Sequence, residues 1–352
     1  MGHDISIQNG KAEMFSGRGM VPWHHKQTNS TIVEGLLTAK EAIKAAHLDW
    51  TVSGRPVTVA GIELPFPTEK KSVGTWQGIC RDDTNACLGI TGGVYQPIQN
   101  AEAFSFFDSI IGEGKAVYDT AGALRGGEKV WLLAKVNGEI EINGDAHREY
   151  ALMTTSHTGG NSLFMMYVLT RVVCQNTLSI ALQGASNIVR VRHTSNWEDR
   201  RDEAKRILGI GEKYFGTIQE ALAGMSEKLM TAKQMEDFTK LLIPAANEDE
   251  LTPNLRNIRA EVNKLFCAGD GNKGQSRWDA LNAVTDYADH VRNVKGQNSR
   301  LESSMTGSGA ALKQKAYDIL TNEDVMGPLL AGTFVPTGRT VDPTFSALLE
   351  RN

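Results

Sequence analysis

The 352-residue chain has no surplus of positive charge: 37 Lys and Arg stand against 41 Asp and Glu, a formal net charge of −4. That balance excludes a protein that grips nucleic acid through bulk cationic charge. It leaves a locally basic surface open, because steering depends on where charge sits. Cysteine is scarce. Cys80, Cys87, Cys174 and Cys267 form no C-x-x-C pair, and the spacing of Cys80 and Cys87 is not that of a zinc knuckle. A disulfide-dense scaffold is excluded, and reduced thiols in a cytosolic protein are expected. Apolar runs fall far short of the roughly 20 residues that a membrane helix needs. The first 20 residues are polar and glycine-bearing, unlike a signal peptide. The expected location is therefore the cytoplasm, without a membrane role.

Catalytic signatures are missing too. No G-x-x-x-x-G-K-[ST] occurs, which argues against a P-loop nucleotide triphosphatase, and there is no G-x-S-x-G, no H-E-x-x-H and no Asp-rich metal loop. No cofactor, metal site or catalytic residue is expected. Internal repeats and low-complexity tracts are absent as well, so a solenoid or a disordered tail protein does not fit.

What remains is ordinary globular composition: 41% apolar and 22% charged residues, with 35 glycines that imply many tight turns. The length suggests two domains, or one domain with a large helical extension. Residues 1–22 read as an extended arm. Residues 38–46 (TAKEAIKAA) read as a helix, with Thr38 as cap and Glu41 completing a capping box. Short strands are expected within 50–64 and 73–90, and a helix over 101–111. Residues 116–124, 129–136, 148–156 and 163–173 read as strands of an antiparallel meander. Turns are expected at Gly126–Gly127, Asn137–Gly138 and Asn143–Gly144, because Asn and Gly tolerate the positive φ of type I′ turns. Residues 174–182 (CQNTLSIAL) read as a helix packed on the meander. From 196 onward helical periodicity dominates, over 196–224, 225–242, 254–267, 277–294 and 310–320. The expected fold class is α+β: an antiparallel β-meander with a packed helix, followed by a mainly helical C-terminal half. The expected domains are 1–195 (core with N-terminal arm), 196–332 (helical region) and 333–352 (flexible tail).

Between Ala151 and Trp197 there is no Asp or Glu, where about five would fall by proportion. The same window carries Arg171, Arg190, Arg192, His157 and His193 among hydroxyls and amides. Such groups suit a phosphate backbone, which a carboxylate would repel. The bland alternative is a buried core, which avoids carboxylates anyway. Arg190 and Arg192 alternate with Val189 and Val191 and so share one strand face. Lys129, Trp131 and Lys135 also share parity, which would set an aromatic between two cations, the usual physics of single-strand binding. The competing catalytic readings are weaker. They are a metal site at His24–His25, whose side chains diverge on a strand, and a nucleophile pair of Cys174 with His157. Gly307–Ser308–Gly309 opens a helix in the manner of an anion site. Gly269–Gly274 could also hold an anion, against the blander reading of a helix–helix turn.

Residues 114–136 (GKAVYDTAGALRGGEKVWLLAKV) and 171–182 (RVVCQNTLSIAL) resemble a family of phage- and plasmid-like proteins described as a domain of unknown function. Residues 300–316 (RLESSMTGSGAALKQKA) and 21–27 (VPWHHKQ) fit it as well. The resemblance implies an origin in mobile elements. The strand meander with a packed helix is also similar in architecture to phage single-strand annealing proteins of the RecT, Erf and Rad types, which assemble as rings or filaments around single-stranded DNA. The expectation is a cofactor-free, oligomeric single-stranded DNA-binding or annealing protein, with Lys129, Lys135, Arg171, Arg190 and Arg192 on phosphates and Trp131 stacking. The alternative is a protein-binding module, such as a host-defence inhibitor or assembly factor.

Overall fold

The computed structural model describes residues 5–17, 31–33, 37–68, 73–111, 117–142, 144–160, 162–171, 177–178, 188–193, 211–245, 248, 251–293, 303–304 and 307–333. Two compact units divide the chain. The first takes 1–138, 149–168 and 184–212, the second 139–148, 169–183 and 213–352.

The first unit opens on two short strands, β1 (Ile7–Gln8) and β2 (Lys11–Ala12), paired antiparallel around Asn9 and Gly10. Both turn residues have positive φ, 51° and 77°, as a type I′ Asn-Gly turn requires. β3 (Met14–Ser16) follows, with Met14 and Phe15 wholly buried. Residues 5–17 are thus no arm, because two large apolar side chains side by side are best buried in a sheet. β4 (Thr31–Ile32) pairs parallel with β3. Helix α1 (Ala39–Ala45) starts where its sequence says: Thr38 caps it and Glu41 completes the box. α1 packs on β3 and on α2 (Asn100–Ile111), which buries Ala103, Phe104, Phe106 and Phe107.

Between these helices, β5 (Val52–Arg55), β8 (Trp76–Arg81) and β9 (Cys87–Gly92) make a three-stranded antiparallel sheet in the order β5-β8-β9. β6 (Thr58–Val59) and β7 (Ile62–Glu63) form a separate ribbon.

The large sheet is the meander. β10 (Val117–Leu124), β11 (Lys129–Ile142), β12 (Asp145–Ser156) and β13 (Leu163–Arg171) are neighbours in that order, and β3 then β4 flank β10. The turn from β10 to β11 uses Arg125, Gly126 and Gly127, all at positive φ. β11 runs through Asn137 and Gly138 to Ile142. The turn expected there is absent because continued ladder pairing outweighs a local turn preference. Gly144, in the second of the two expected turns, does lie between β11 and β12, at φ 82°. β14 (Thr177–Leu178) pairs antiparallel with Leu169 and Thr170, so these residues are strand rather than the expected helix. A short helix has little stability of its own, and the edge of β13 supplies hydrogen-bond partners. The rest of 174–182 lies outside the described residues. β15 (Ile188–Val191) pairs with Leu163 to Met166 on the same edge of β13. The fold is α+β, as its sequence implies.

The second unit is mainly helical among its described residues: α3 (Gly211–Glu227), α4 (Ala232–Leu242), α5 (Pro253–Ala268), α6 (Arg277–Asp286), α7 (Ser308–Thr321) and α8 (Glu323–Leu330). Caps mark the starts. Thr231 with Gln234 and Ser276 with Asp279 form capping boxes, and Thr252 precedes Pro253. α6 is buried on every side and passes into a π-helical turn over Tyr287–Val291. Lys313 on α7 is fully buried and donates to Asp289 and Ser304, each at 2.9 Å. α8 was not legible in the sequence, because Pro328 lies inside it and interior proline ordinarily marks a helix end. Residues 196–210 and 334–352, and with them most of the expected tail, lie outside the described residues, as do His24, His25 and Cys174.

Candidate nucleic-acid interface

Five of the six residues singled out by charge and parity have described side chains, and they divide sharply. Trp131 is 0% exposed and Lys129 6%. Parity did place them on one face, but both faces of β11 are closed here, since Val130, Leu132 and Ala134 are buried as well. Trp131 stands opposite Gly122 of β10, and a Cβ at Gly122 would approach its Cζ2 to 3.0 Å. The indole fills the space that glycine leaves. A base cannot stack on a ring without exposed surface, so Trp131 is a core residue in this fold. Lys135, opposite Val117, is half-buried. Arg171 ends β13, and its side chain lies outside the described residues.

Arg190 and Arg192 are exposed, whereas Val189 and Val191 between and beside them are buried. This is the period-two alternation of an edge strand with one open face. The register adds a residue that sequence reasoning missed. Phe164 is the direct cross-strand partner of Arg190 and is half-buried. The aromatic beside the cation is therefore Phe164. Its only sequence signal was membership of an apolar run, and pairing register is not readable from one strand. Among the described residues neither arginine has an ion-pair partner.

The end of β15 is held firmly. The carbonyl of His193 accepts the Gln96 amide at 3.1 Å, and its Nδ1 accepts the Ile98 amide at 3.4 Å. Nε2 faces the Thr155 hydroxyl at 3.4 Å. Tyr95 stacks on the imidazole with centroids 5.0 Å apart and donates its hydroxyl to the Ser156 carbonyl at 2.9 Å. Burial pushes the His193 pKa down to about 4, leaving the ring neutral at neutral pH. Arg192, the preceding residue, thus projects from a fixed backbone.

His157, a candidate nucleophile partner, is a structural tie. It has no exposed surface, its Nε2 meets the Asn100 side-chain oxygen at 3.0 Å, and Trp50 packs edge-on to it. Burial above all holds its pKa down, to about 3.

On the Trp50 ring that packs against His157 lies Arg81, and its guanidinium is saturated. It forks onto Glu13 at 2.6 and 3.0 Å and onto Asp83 at 2.7 and 2.9 Å, and reaches Gln8 and the Gly126 carbonyl. Its guanidinium lies 4.1 Å from the Trp50 ring centroid. A Cβ at Gly127 would come within 3.1 Å of both side chains, so glycine is required there. A cavity of about 540 Å³ opens beside this cluster, lined by residues including Lys11, Glu13, His47, Asp49 and Asp83. Its three carboxylates disfavour phosphate, which separates it from the arginine face. Among the described residues no group of three or more His, Cys, Asp or Glu is arranged to hold a metal, and no helix is long and apolar enough to cross a membrane.

The family described as Domain of unknown function (DUF932) matches residues 87–306, a span that contains Phe164, Arg190 and Arg192. No curated protein and no solved structure matches the chain.

Proposed function

The chain belongs to the DUF932 family, a domain of unknown function, and from the geometry of its edge strand we propose that it binds single-stranded DNA without a cofactor, as an oligomeric annealing protein of phage type. One observation supports this above the rest: Arg190 projects from the open face of β15 with Phe164 across from it, and Arg192, just past the strand end, is exposed as well. Arginine neutralises phosphate, and an aromatic offers a sequence-tolerant surface to a base. The acid-free window keeps carboxylates of the same segment away from that face. Annealing asks only that a strand be held extended with its bases open to pairing.

Fluorescence anisotropy with a labelled oligonucleotide at low salt tests the reading. Wild type should bind, and Arg190→Ala/Arg192→Ala should lose most of the affinity. Phe164→Ala should weaken binding by about 1–3 kcal/mol, the usual worth of one base–aromatic stack. No binding at low salt, or an arginine-deleted variant that binds as well as wild type, rejects it. Light scattering with and without the oligonucleotide tests the assembly.

A second reading, a protein-binding module, is favoured by a different surface. On the three-stranded sheet Trp76 is 47% exposed and Ile90 57%, and both flank Gly78 on one face. A stoichiometric protein partner that Trp76→Ala releases, with no DNA retained, would select this reading.

A further inference from the structure

Cys80 and Cys87 stand at the two ends of one tight hairpin. Their spacing does not suit a zinc knuckle, but β8 and β9 set them opposite each other, just past a shift of register between Ile79 and Cys80. The shift takes the pair out of the regular ladder spacing, but the two thiols are in side-chain contact, within the reach of a disulfide. Both sulfurs converge on Gly78. The Cys80 thiol donates to the Gly78 carbonyl at 3.7 Å, and a Cβ built on Gly78 would lie 3.5 Å from the Cys87 sulfur. Glycine there leaves no side chain to hold the two apart.

The pair is also asymmetric. Cys87 is exposed, and Cys80 is 9% exposed behind it. Burial raises the Cys80 thiol pKa, and the contact with Cys87 adds to the rise. The exposed thiol therefore meets a reagent first, and the buried one is placed to follow.

We propose that Cys80 and Cys87 form a reversible redox-modification site that a peroxide converts into an intramolecular disulfide. The Cys87 thiolate attacks one peroxide oxygen, the O–O bond breaks, and the departing hydroxide takes up a proton to become water. Cys87 is left as a sulfenic acid. The Cys80 sulfur, giving up its proton, then attacks the Cys87 sulfur. The S–S bond forms, the S–O bond breaks, and the second oxygen leaves as water. The peroxide is reduced by two electrons and the two thiols are oxidised by two. A dithiol reverses the change by exchange. The closed bridge staples the hairpin that carries Arg81, the residue holding Glu13 and Asp83.

Peptide mapping of the full-length protein after hydrogen peroxide and alkylation tests the proposal. Trypsin cuts after Arg81, between the two cysteines. Oxidised wild type should give two linked peptides, separated by dithiothreitol. Cys267→Ser should give the same link, and Cys87→Ser should leave Cys80 open to alkylation. The proposal is overturned if Cys80 in peroxide-treated wild type stays alkylatable, or if Cys87 instead pairs with Cys174, Cys267 or a second copy of the chain.

Discussion

At the scale of the residue, the buried histidines carry the clearest consequence. His157 and His193 titrate at about 3 and about 4, because burial penalises the imidazolium. In the unfolded chain each returns to about 6.5. Below pH 6.5 the unfolded state therefore binds protons that the folded state refuses, and stability falls as pH falls. Their contribution is complete above about pH 6.5 and is lost progressively down to their folded values, at about 1.4 kcal/mol per pH unit for each residue fully in that window. Denaturant midpoints between pH 6.5 and 5, above the carboxylate range, isolate the effect. His157→Gln should roughly halve the pH slope there, and an unchanged slope would show that His157 is accessible to protons in the fold. None of this was legible in the sequence. His157 beside Gly159 and Gly160 looks like a strand-end active-site residue. Only its tie to Asn100 and its contact with Trp50 make it core.

At the scale of the element, glycine marks two opposite situations. In β10, Gly122 lies within reach of Trp131, the Glu13 carbonyl and Met14. Gly122→Val should destabilise the protein by about 1–3 kcal/mol through overpacking. In α3, an added Cβ at Gly216 meets nothing within 4 Å, so Gly216→Ala should stabilise by up to about 1 kcal/mol, the helix preference of alanine over glycine. Urea titration of both variants checks the contrast, and equal shifts would contradict it. Helix starts were legible because Thr38 with Glu41 is a local signal, satisfied within four residues. Strand ends were less so. Asn137–Gly138 carries a turn signal that β11 overrides, because ladder hydrogen bonds come from neighbouring strands and not from the segment itself.

At the scale of the whole molecule, a net charge of −4 and a DNA-binding proposal are compatible only if binding is confined to a small face. A confined face has a measurable signature. Each phosphate contact on a single strand contributes about 0.7 to the slope of log affinity against log salt, so removing Arg190 and Arg192 should lower that slope by about 1.4. A slope unchanged by the double variant, even with weaker binding, would place the phosphates elsewhere.

The order of side chains along the chain determined the α+β class, the capped helices, the strands of the meander and the parity that pairs Arg190 with Arg192. These depend on contacts a few residues apart, which periodicity and caps record. Tertiary structure alone decided which strand faces are closed, both of them on β11 around Trp131 and only one on β15, where Arg190 is left outward. It alone set Phe164 opposite Arg190 and Cys80 opposite Cys87. Register and burial arise from how distant segments cover one another, and a strand's own period of two names its faces without saying which one the core will take.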